Sequence, residues 1–465
     1  MSSNPNRGGA MDLQTLEWSG FRGFTSRTRF ALPNITLLIG KNNVGKSSTY
    51  APLLLLKQTL EARDHKTALL GRGSLVDVGP FTDYVSNHAS DGTVTFRMSL
   101  NPDLVSKFGV RRQPTDVEIG FQSANGIDAF VSRQRVEDAA GEALITRSRR
   151  SPDSSFTFSS PLLPTRKSTG RPYREITAVR RQFREEQPHG FLFTSNGGLF
   201  LPQKIREDPI RWESVRDWYN SAYTVFDVQT AANYSLVDFL RSISYLGPLR
   251  SLPQRTYRLG AEPPVEIGVS GENAPELLFR HSDQGSSEEV NEWLNRLKYG
   301  KLKFDEVGPE YFQALLETPS GLTVNLADTG VGLSQVIPLL VQGSISKPGG
   351  TMIAQQPEIH LNPAQQSIVA DFLISKAVAG VRVLVETHSE HVLLRLRRRI
   401  AEGKIAAEDV AVYFVEARGS ETNIRRVPLG ELGEISRADW PEGFFEDQLD
   451  EAFYLAAAQS VRAGA

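Results

Sequence analysis

Residues 35–48 read Ile-Thr-Leu-Leu-Ile-Gly-Lys-Asn-Asn-Val-Gly-Lys-Ser-Ser, and no other stretch restricts the fold of this chain so strongly. The apolar run Ile35 to Ile39 is short and continuous, as suits a strand buried on both faces. Directly after it, GKNNVGKS (40–47) fits Gly-x-x-x-x-Gly-Lys-Ser/Thr. The glycines let the backbone curl until its N–H groups face phosphate oxygens. A helical pattern from about Ser47 to Leu60 places that curl at a helix N-terminus. In this reading Gly40, Asn42, Asn43, Val44, Gly45 and Ser48 line a phosphate cradle. Lys46 reaches the β- and γ-phosphates, and the Ser47 hydroxyl binds Mg²⁺.

The neighbours of this strand are read far downstream. TMIA (351–354) and VRVLVE (381–386) are short β-branched runs, separated by a helical pattern over 363–380 that stops at Gly380. VAVYFVE (410–416) and ETNIRRVPL (421–429) read as two more strands. Strands alternating with helices are the pattern of a parallel α/β sheet.

The middle of the chain differs. The segments TVTFRMSL and DVEIGF within 93–121 alternate apolar and polar positions, the signature of an antiparallel sheet, and upstream residues 16–30 alternate likewise and read as paired strands. Residues 209–243 look helical, with Trp212, Val215, Trp218 and Tyr219 on one face. No heptad is sustained, so a long coiled-coil arm is not expected. Residues 145–184 are rich in Ser, Pro and Arg, including Arg147, Arg149, Arg166, Lys167, Arg171, Arg180, Arg181 and Arg184. Such a stretch is either a solvated loop or a surface for nucleic acid. A second cluster, Arg395, Arg397, Arg398 and Arg399, poses the same choice.

Bulk properties exclude several classes. The formal net charge of −2 gives no overall attraction to nucleic acid or acidic membranes. There is no Cys, so disulfides and thiolate metal sites are ruled out. The opening MSSNPNRGGA lacks the apolar core of a secretory signal, and residues 1–10 are expected to be flexible. The apolar run Ala51 to Leu56 is far too short to span a bilayer. A cytoplasmic protein with no membrane partner is the expectation.

A nucleotide-hydrolysing loop needs an acid at the end of a neighbouring parallel strand, near Mg²⁺, and a group to orient the attacking water. The strand TMIAQQPE instead ends in Gln355 and Gln356. Glutamine can hydrogen-bond a water or a hydrated metal, but it neither takes a proton as a carboxylate does nor offsets the metal's charge. Glu358 and Glu386, near the two strand ends, are the rival carboxylates. His388, after the strand VRVLVE, can contact a γ-phosphate. A zinc pair of His388 with His391 has no third ligand nearby. In LADTGVGLSQ (326–335), Gly330, Gly332, Ser334 and Gln335 form a Gly-punctuated turn before an apolar helix, able to present N–H groups and a hydroxyl to phosphate.

The set Phe21-Arg22-Gly23-Phe24, GKNNVGKS, DTGVGLSQ, QQPEIHLNP and ETHSEH, in this order, resembles the ABC-type ATPase heads of the SMC, RecF and OLD class. The segment DWPEGFFEDQLDEA (439–452) resembles the C-terminal part of a bacterial subgroup whose last domain has no assigned function. The resemblance implies ATP and Mg²⁺ as cofactors, with Ser47 and the position of Gln355 at the metal. It also implies an α/β head split by an inserted mixed α/β region. The expected divisions are 11–92 for the first half of the head, 93–244 for the insert, 245–400 for the second half, and 401–465 for strands and a helix completing it. Two heads are then expected to pair face to face, with DTGVGLSQ touching the partner's γ-phosphate, Arg22 near the nucleotide and His388 as a switch. Leu361-Asn362-Pro363 falls where the dimer-contact loop belongs.

Two departures stand out. Heads of the class carry acids before the proline, and the subgroup resembles Glu-Gln there, where this chain has Gln355 and Gln356; slowed turnover from Gln355 is the expected consequence. OLD nucleases also append a metal-binding Toprim domain, and the roughly 75 residues after His391 show no cluster of acids for one. The implied role is a sensor or scaffold gating a separate effector protein, in bacterial defence against phage or plasmids. The alternative is a repair or maintenance ATPase that clamps nucleic acid directly. A GTPase is disfavoured because no Asn-Lys-x-Asp motif occurs.

Overall fold

A computed structural model describes residues 14–164, 174–194, 207, 209–281, 285–436 and 438–440. The chain begins with β1 (Gln14–Ser19), β2 (Thr28–Leu32) and β3 (Ile35–Ile39), then α1 (Ala51–Leu60) after a single 3-10 turn at Ser47–Thr49. The strands β4 (Val94–Ser99), β5 (Pro114–Ser123), β6 (Ala129–Asp138), β7 (Ala143–Ser148) and β8 (Thr157–Ser159) precede the helices α2 (Arg174–Glu185) and α3 (Pro209–Arg241). Next come β9 (Ile243–Leu246), β10 (Tyr257–Arg258), α4 (Ala274–Arg280), α5 (Ser286–Arg296), β11 (Lys301–Gly308), β12 (Tyr311–Glu317) and β13 (Thr323–Asn325). The rest comprises α6 (Val331–Ile345), β14 (Thr351–Gln355), α7 (Pro363–Val378), β15 (Arg382–Glu386), α8 (Glu390–Ala401), β16 (Val410–Arg418) and β17 (Glu421–Val427).

The central sheet has the order β17-β16-β3-β15-β14-β9. Every residue of β3 and β15 is buried, because helices or a second sheet cover both faces. Alternate side chains therefore serve two cores. Leu38, Leu384 and Ile353 point into one, and Leu37, Val383 and Met352 into the other. All pairings in this sheet are parallel except β16 with β17. The pattern read from the sequence as wholly parallel thus ends in a hairpin. Only Gly419 and Ser420 separate the two strands, far too few residues for a parallel crossover.

A seven-stranded antiparallel sheet, β2-β1-β4-β5-β6-β7-β8, covers one of those cores. Strand β4 alternates buried and partly exposed positions, as expected where only one face is covered. Its pairing with β1, Leu16 opposite Met98, makes one continuous sheet of the strands on either side of residue 92. A small sheet, β10-β12-β11 with β13 on β12, lies over the other core.

Helix α3 has 33 residues, about 50 Å at 1.5 Å per residue. It is not a projecting arm, since its Val215, Trp218, Tyr219, Val225 and Leu236 belong to the same core as β4 to β7. The expected 1–10 segment, the helix expected after β17, most of DWPEGFFEDQLDEA, and Arg166, Lys167 and Arg171 lie outside the described residues. Among the described residues no helix is long and apolar enough to cross a membrane.

Candidate functional site

The loop 40–48 leaves the C-terminal end of β3 as the sequence pattern requires, and two of its glycines are obligatory. Gly40 has φ +148°, and a Cβ there would sit 2.3 Å from the Val415 carbonyl oxygen; Gly45 has φ +94°. Asn43 takes the left-handed conformation at φ 60°, which asparagine tolerates better than most residues. Lys46 is buried, and its Nζ donates to the carbonyl oxygens of Gly40 (3.1 Å) and Lys41 (2.6 Å). Burial lowers its pKa, opposed by the charge of Glu386. Arg22, in a left-handed turn at φ 48°, donates from Nη1 to Ser48 Oγ at 3.2 Å. The Phe-Arg-Gly-Phe turn is thereby brought to the loop.

The parallel register sets Gln355 of β14 directly beside Glu386 of β15. A directional chain of hydrogen bonds then crosses the site. Tyr245 Oη donates to Gln355 Oε1 (3.1 Å), Gln355 Nε2 to Ser47 Oγ (3.1 Å), and Ser47 Oγ to Glu386 Oε2 (2.8 Å). Tyr50 Oη donates to the same carboxylate oxygen at 2.7 Å. Burial, then the nearby Glu386 charge, raises both tyrosine pKa values, that of Tyr245 to about 12 and that of Tyr50 well above its ordinary value. Both phenols therefore remain donors at neutral pH.

Gln356 stands at φ 47°, outside the regions most side chains favour. Its N–H donates to the Glu386 carbonyl at 2.7 Å, and the Gln355 carbonyl accepts from Arg250 Nη2 at 2.9 Å. Arg250 is itself buried, which lowers its pKa to about 10 against the opposing charge of Glu358. Glu358 Oε1 accepts the His388 N–H at 2.8 Å. Burial raises the Glu358 pKa, opposed mainly by backbone N–H groups and the Thr387 hydroxyl. Gln356, Glu358 and His388 line a cavity of about 480 Å³ together with His360, Gln366 and His391.

Most of the residues singled out from sequence converge here: Arg22, the loop 40–48, Gln355, Gln356, Glu358, Glu386 and His388. Gly330, Gly332, Ser334 and Gln335 are not among them within one chain. Gly330 is exposed at the start of α6, but Ser334 and Gln335 are buried, and the Ser334 hydroxyl donates back to the Val331 carbonyl at 2.7 Å. Asn362 caps α7 in a reciprocal capping box with Gln365. Among the described residues no three His, Asp or Glu side chains form a metal cage.

Tyr50, Tyr245 and Arg250 were not singled out from the sequence. Tyr50 had a signal, since it lies one helical turn beyond Ser47. Tyr245 and Arg250 had none, because their neighbours come from residues more than 100 positions away.

The oxygens of Ser47 and Glu386 suit a hard cation such as Mg²⁺, which takes oxygen ligands and needs only one or two protein carboxylates beside nucleotide phosphates, whereas Gln355 turns its Nε2 to Ser47 and its oxygen to Tyr245. Matches to known families agree with the site. One described as "AAA domain, putative AbiEii toxin, Type IV TA system" covers residues 35–395, and one described as "Protein of unknown function (DUF3696)" covers 405–455. No curated protein matches the chain. Among solved structures it is similar to an SMC head bound to the C-winged helix domain of ScpA, at 14% identity over 90% of this chain and 98% of that one, with a TM-score of 0.44. It is also similar to an SMC head domain from Thermotoga maritima (12%, 90% and 99%, 0.36). A third is an Smc head with an extended coiled coil, bound to the C-terminal domain of ScpA, from Pyrococcus furiosus (11%, 89% and 96%, 0.39). Likenesses this distant carry no part of the functional argument.

Proposed function

The chain belongs to the AAA-domain family described as putative AbiEii toxin, and on that footing we propose that it is an ATP-binding, ABC-type head that turns over slowly and gates a separate effector. The observation that carries this reading is the meeting of the phosphate-loop Ser47 with Gln355 and Glu386 at the ends of two adjacent parallel strands. That arrangement brings a phosphate cradle, a buried lysine and oxygen ligands to one point.

Ser47 and Glu386 would hold Mg²⁺, which when bound offsets phosphate charge, with the Gln355 amide beside them orienting the Ser47 hydroxyl. Lys46 exchanges its contacts to the Gly40 and Lys41 carbonyls for phosphate oxygens, and Arg22 adds a second cation beside Ser48. His388 is presented at the cavity by the Glu358 carboxylate that holds its N–H. Turnover is slow because Gln355 and Gln356 take the places of both acids and an amide cannot accept the proton of the attacking water. The exposed Gly330 turn offers N–H groups to the nucleotide of a second copy, so closure needs ATP in paired heads. The family description favours a setting in toxin–antitoxin or abortive-infection defence, with the effector encoded separately.

The alternative, direct clamping of nucleic acid, is weakened by the contacts of five of the arginines that motivate it. Arg147 is buried against Phe156, and Arg149 donates to the carbonyls of Val131 and Pro152. Arg181 pairs with Glu185, Arg398 with Glu402, and Arg399 with Asp371.

The test is single-turnover hydrolysis of ATP by wild type and by Gln355→Glu/Gln356→Glu. Restoring the acids is expected to raise the rate by about 100-fold or more, the ordinary contribution of a placed general base. Equal rates would sink the slow-turnover reading. Failure of the folded wild type to bind ATP at all would sink the nucleotide reading.

A further inference from the structure

We propose that Glu386, at the end of β15, is the carboxylate that balances the divalent cation of the bound nucleotide. This rests on the nucleotide reading above and adds to it which residue carries the charge.

The register puts positions 355 and 386 side by side, so a cation near Ser47 lies within reach of either strand end. The hydrogen-bond chain has one polarity. Each step, from Tyr245 through Gln355 and Ser47, donates toward Glu386, and Tyr50 donates to it from the other side. All four donated protons are accounted for, and the negative charge of the network resides on Glu386 alone. Both tyrosine and serine donors converge on Oε2, while Oε1 receives no hydrogen bond from the described residues. A carboxylate held by one oxygen with the other free is preorganised to meet a cation. Gln355 fits beside it as a neutral neighbour that orients Ser47, because its amide both accepts from Tyr245 and donates to Ser47. A carboxylate at 355 could not make that donation.

Neither remaining acid of the region is available for the task. Glu358 is engaged by the His388 N–H and faced by Arg250, while its Oε2 is sealed from solvent. Glu390 lies in the first turn of α8, beyond His388.

The experiment uses Mn²⁺ as the probe, with a fluorescent ATP analogue and the full chain. Analogue binding in excess chelator measures the phosphate loop alone; Mn²⁺ titration followed by electron paramagnetic resonance measures the cation. Three variants are compared with wild type: Glu386→Gln, the swap Gln355→Glu/Glu386→Gln, and Lys46→Ala. Glu386→Gln is expected to weaken Mn²⁺ binding to the nucleotide complex by at least about tenfold, read at analogue concentrations that saturate each variant in chelator. The swap, which returns one carboxylate to the neighbouring strand end, is expected to recover most of the Mn²⁺ affinity. A merely structural role for Glu386 would not be rescued by a charge at 355. Wild-type Mn²⁺ affinity in Glu386→Gln, or a folded swap variant that recovers nothing, overturns the assignment. Should Glu386→Gln not fold, the swap alone decides. Loss of analogue binding in chelator belongs to Lys46→Ala, and its absence there would count against the nucleotide reading instead.

Discussion

His388 is half-buried, with Lys46 on one side and Glu386 on the other. Burial, and after it the Lys46 charge, lowers its pKa below the ordinary 6.5, with Glu386 opposing. The unfolded chain therefore binds this proton more readily than the folded one. The neutral ring contributes stability that is complete above the unfolded value and is lost as pH falls through the folded one. Replacing it by asparagine is expected to flatten the decline of Tm as pH falls below 6.5, relative to wild type. Parallel melting curves for the two proteins across that range would show that the ring stays neutral for no energetic reason. The same surroundings explain why His388 was readable from sequence and Arg250 was not. His388 follows its strand at a position where chemistry is expected, whereas Arg250 reaches the Gln355 carbonyl only because β9 and β14 pair in parallel.

At the scale of elements, the arginines of 145–184 divide by what packs on them. Arg147 on β7 is almost wholly buried, stacked 4.3 Å from the Phe156 ring centroid, with Nη1 on Gln134 Oε1 and Nη2 on the Glu186 carbonyl. Burial lowers its pKa to about 10, opposed by Glu186. It pins β7 to the end of α2, so Arg147→Ala should cost about 2–4 kcal/mol through the cavity and the orphaned acceptors. Urea denaturation measures this. Unchanged stability together with a loss of salt-dependent duplex binding would return the stretch to a nucleic-acid surface. The outer face of the antiparallel sheet tells the same story. Arg29, Glu17, Arg97, Glu118 and Arg135 stand opposite one another across five strands, alternating in sign. Such a ladder satisfies itself and leaves little field for a phosphate backbone. Composition alone could not separate these arginines from solvated ones, because burial depends on which strands become neighbours.

For the molecule as a whole, the site built by one chain lacks the Gly330 turn, which lies at the start of α6 with its serine turned inward. In the proposed function, pairing of two heads would bring this turn to the nucleotide of the second copy. Light scattering is expected to show the mass doubling with ATP and Mg²⁺ in wild type and not in Lys46→Ala; a monomer under every condition would overturn the pairing. The sequence by itself determined the strand–loop–helix at 35–60, the strands at 351–355 and 382–386, and the helix between them. Local chemistry suffices for these: glycines where the backbone must turn, apolar runs where both faces are covered, and an asparagine cap at 362. It also exposed the missing acids at 355 and 356. Only the tertiary structure decided that a carboxylate still meets Ser47, that it comes from Glu386, and that two tyrosines and Arg250 hold the strand ends in place. Those contacts join residues 100 to more than 300 positions apart, and strand order and register, which no local pattern encodes, are what bring them together.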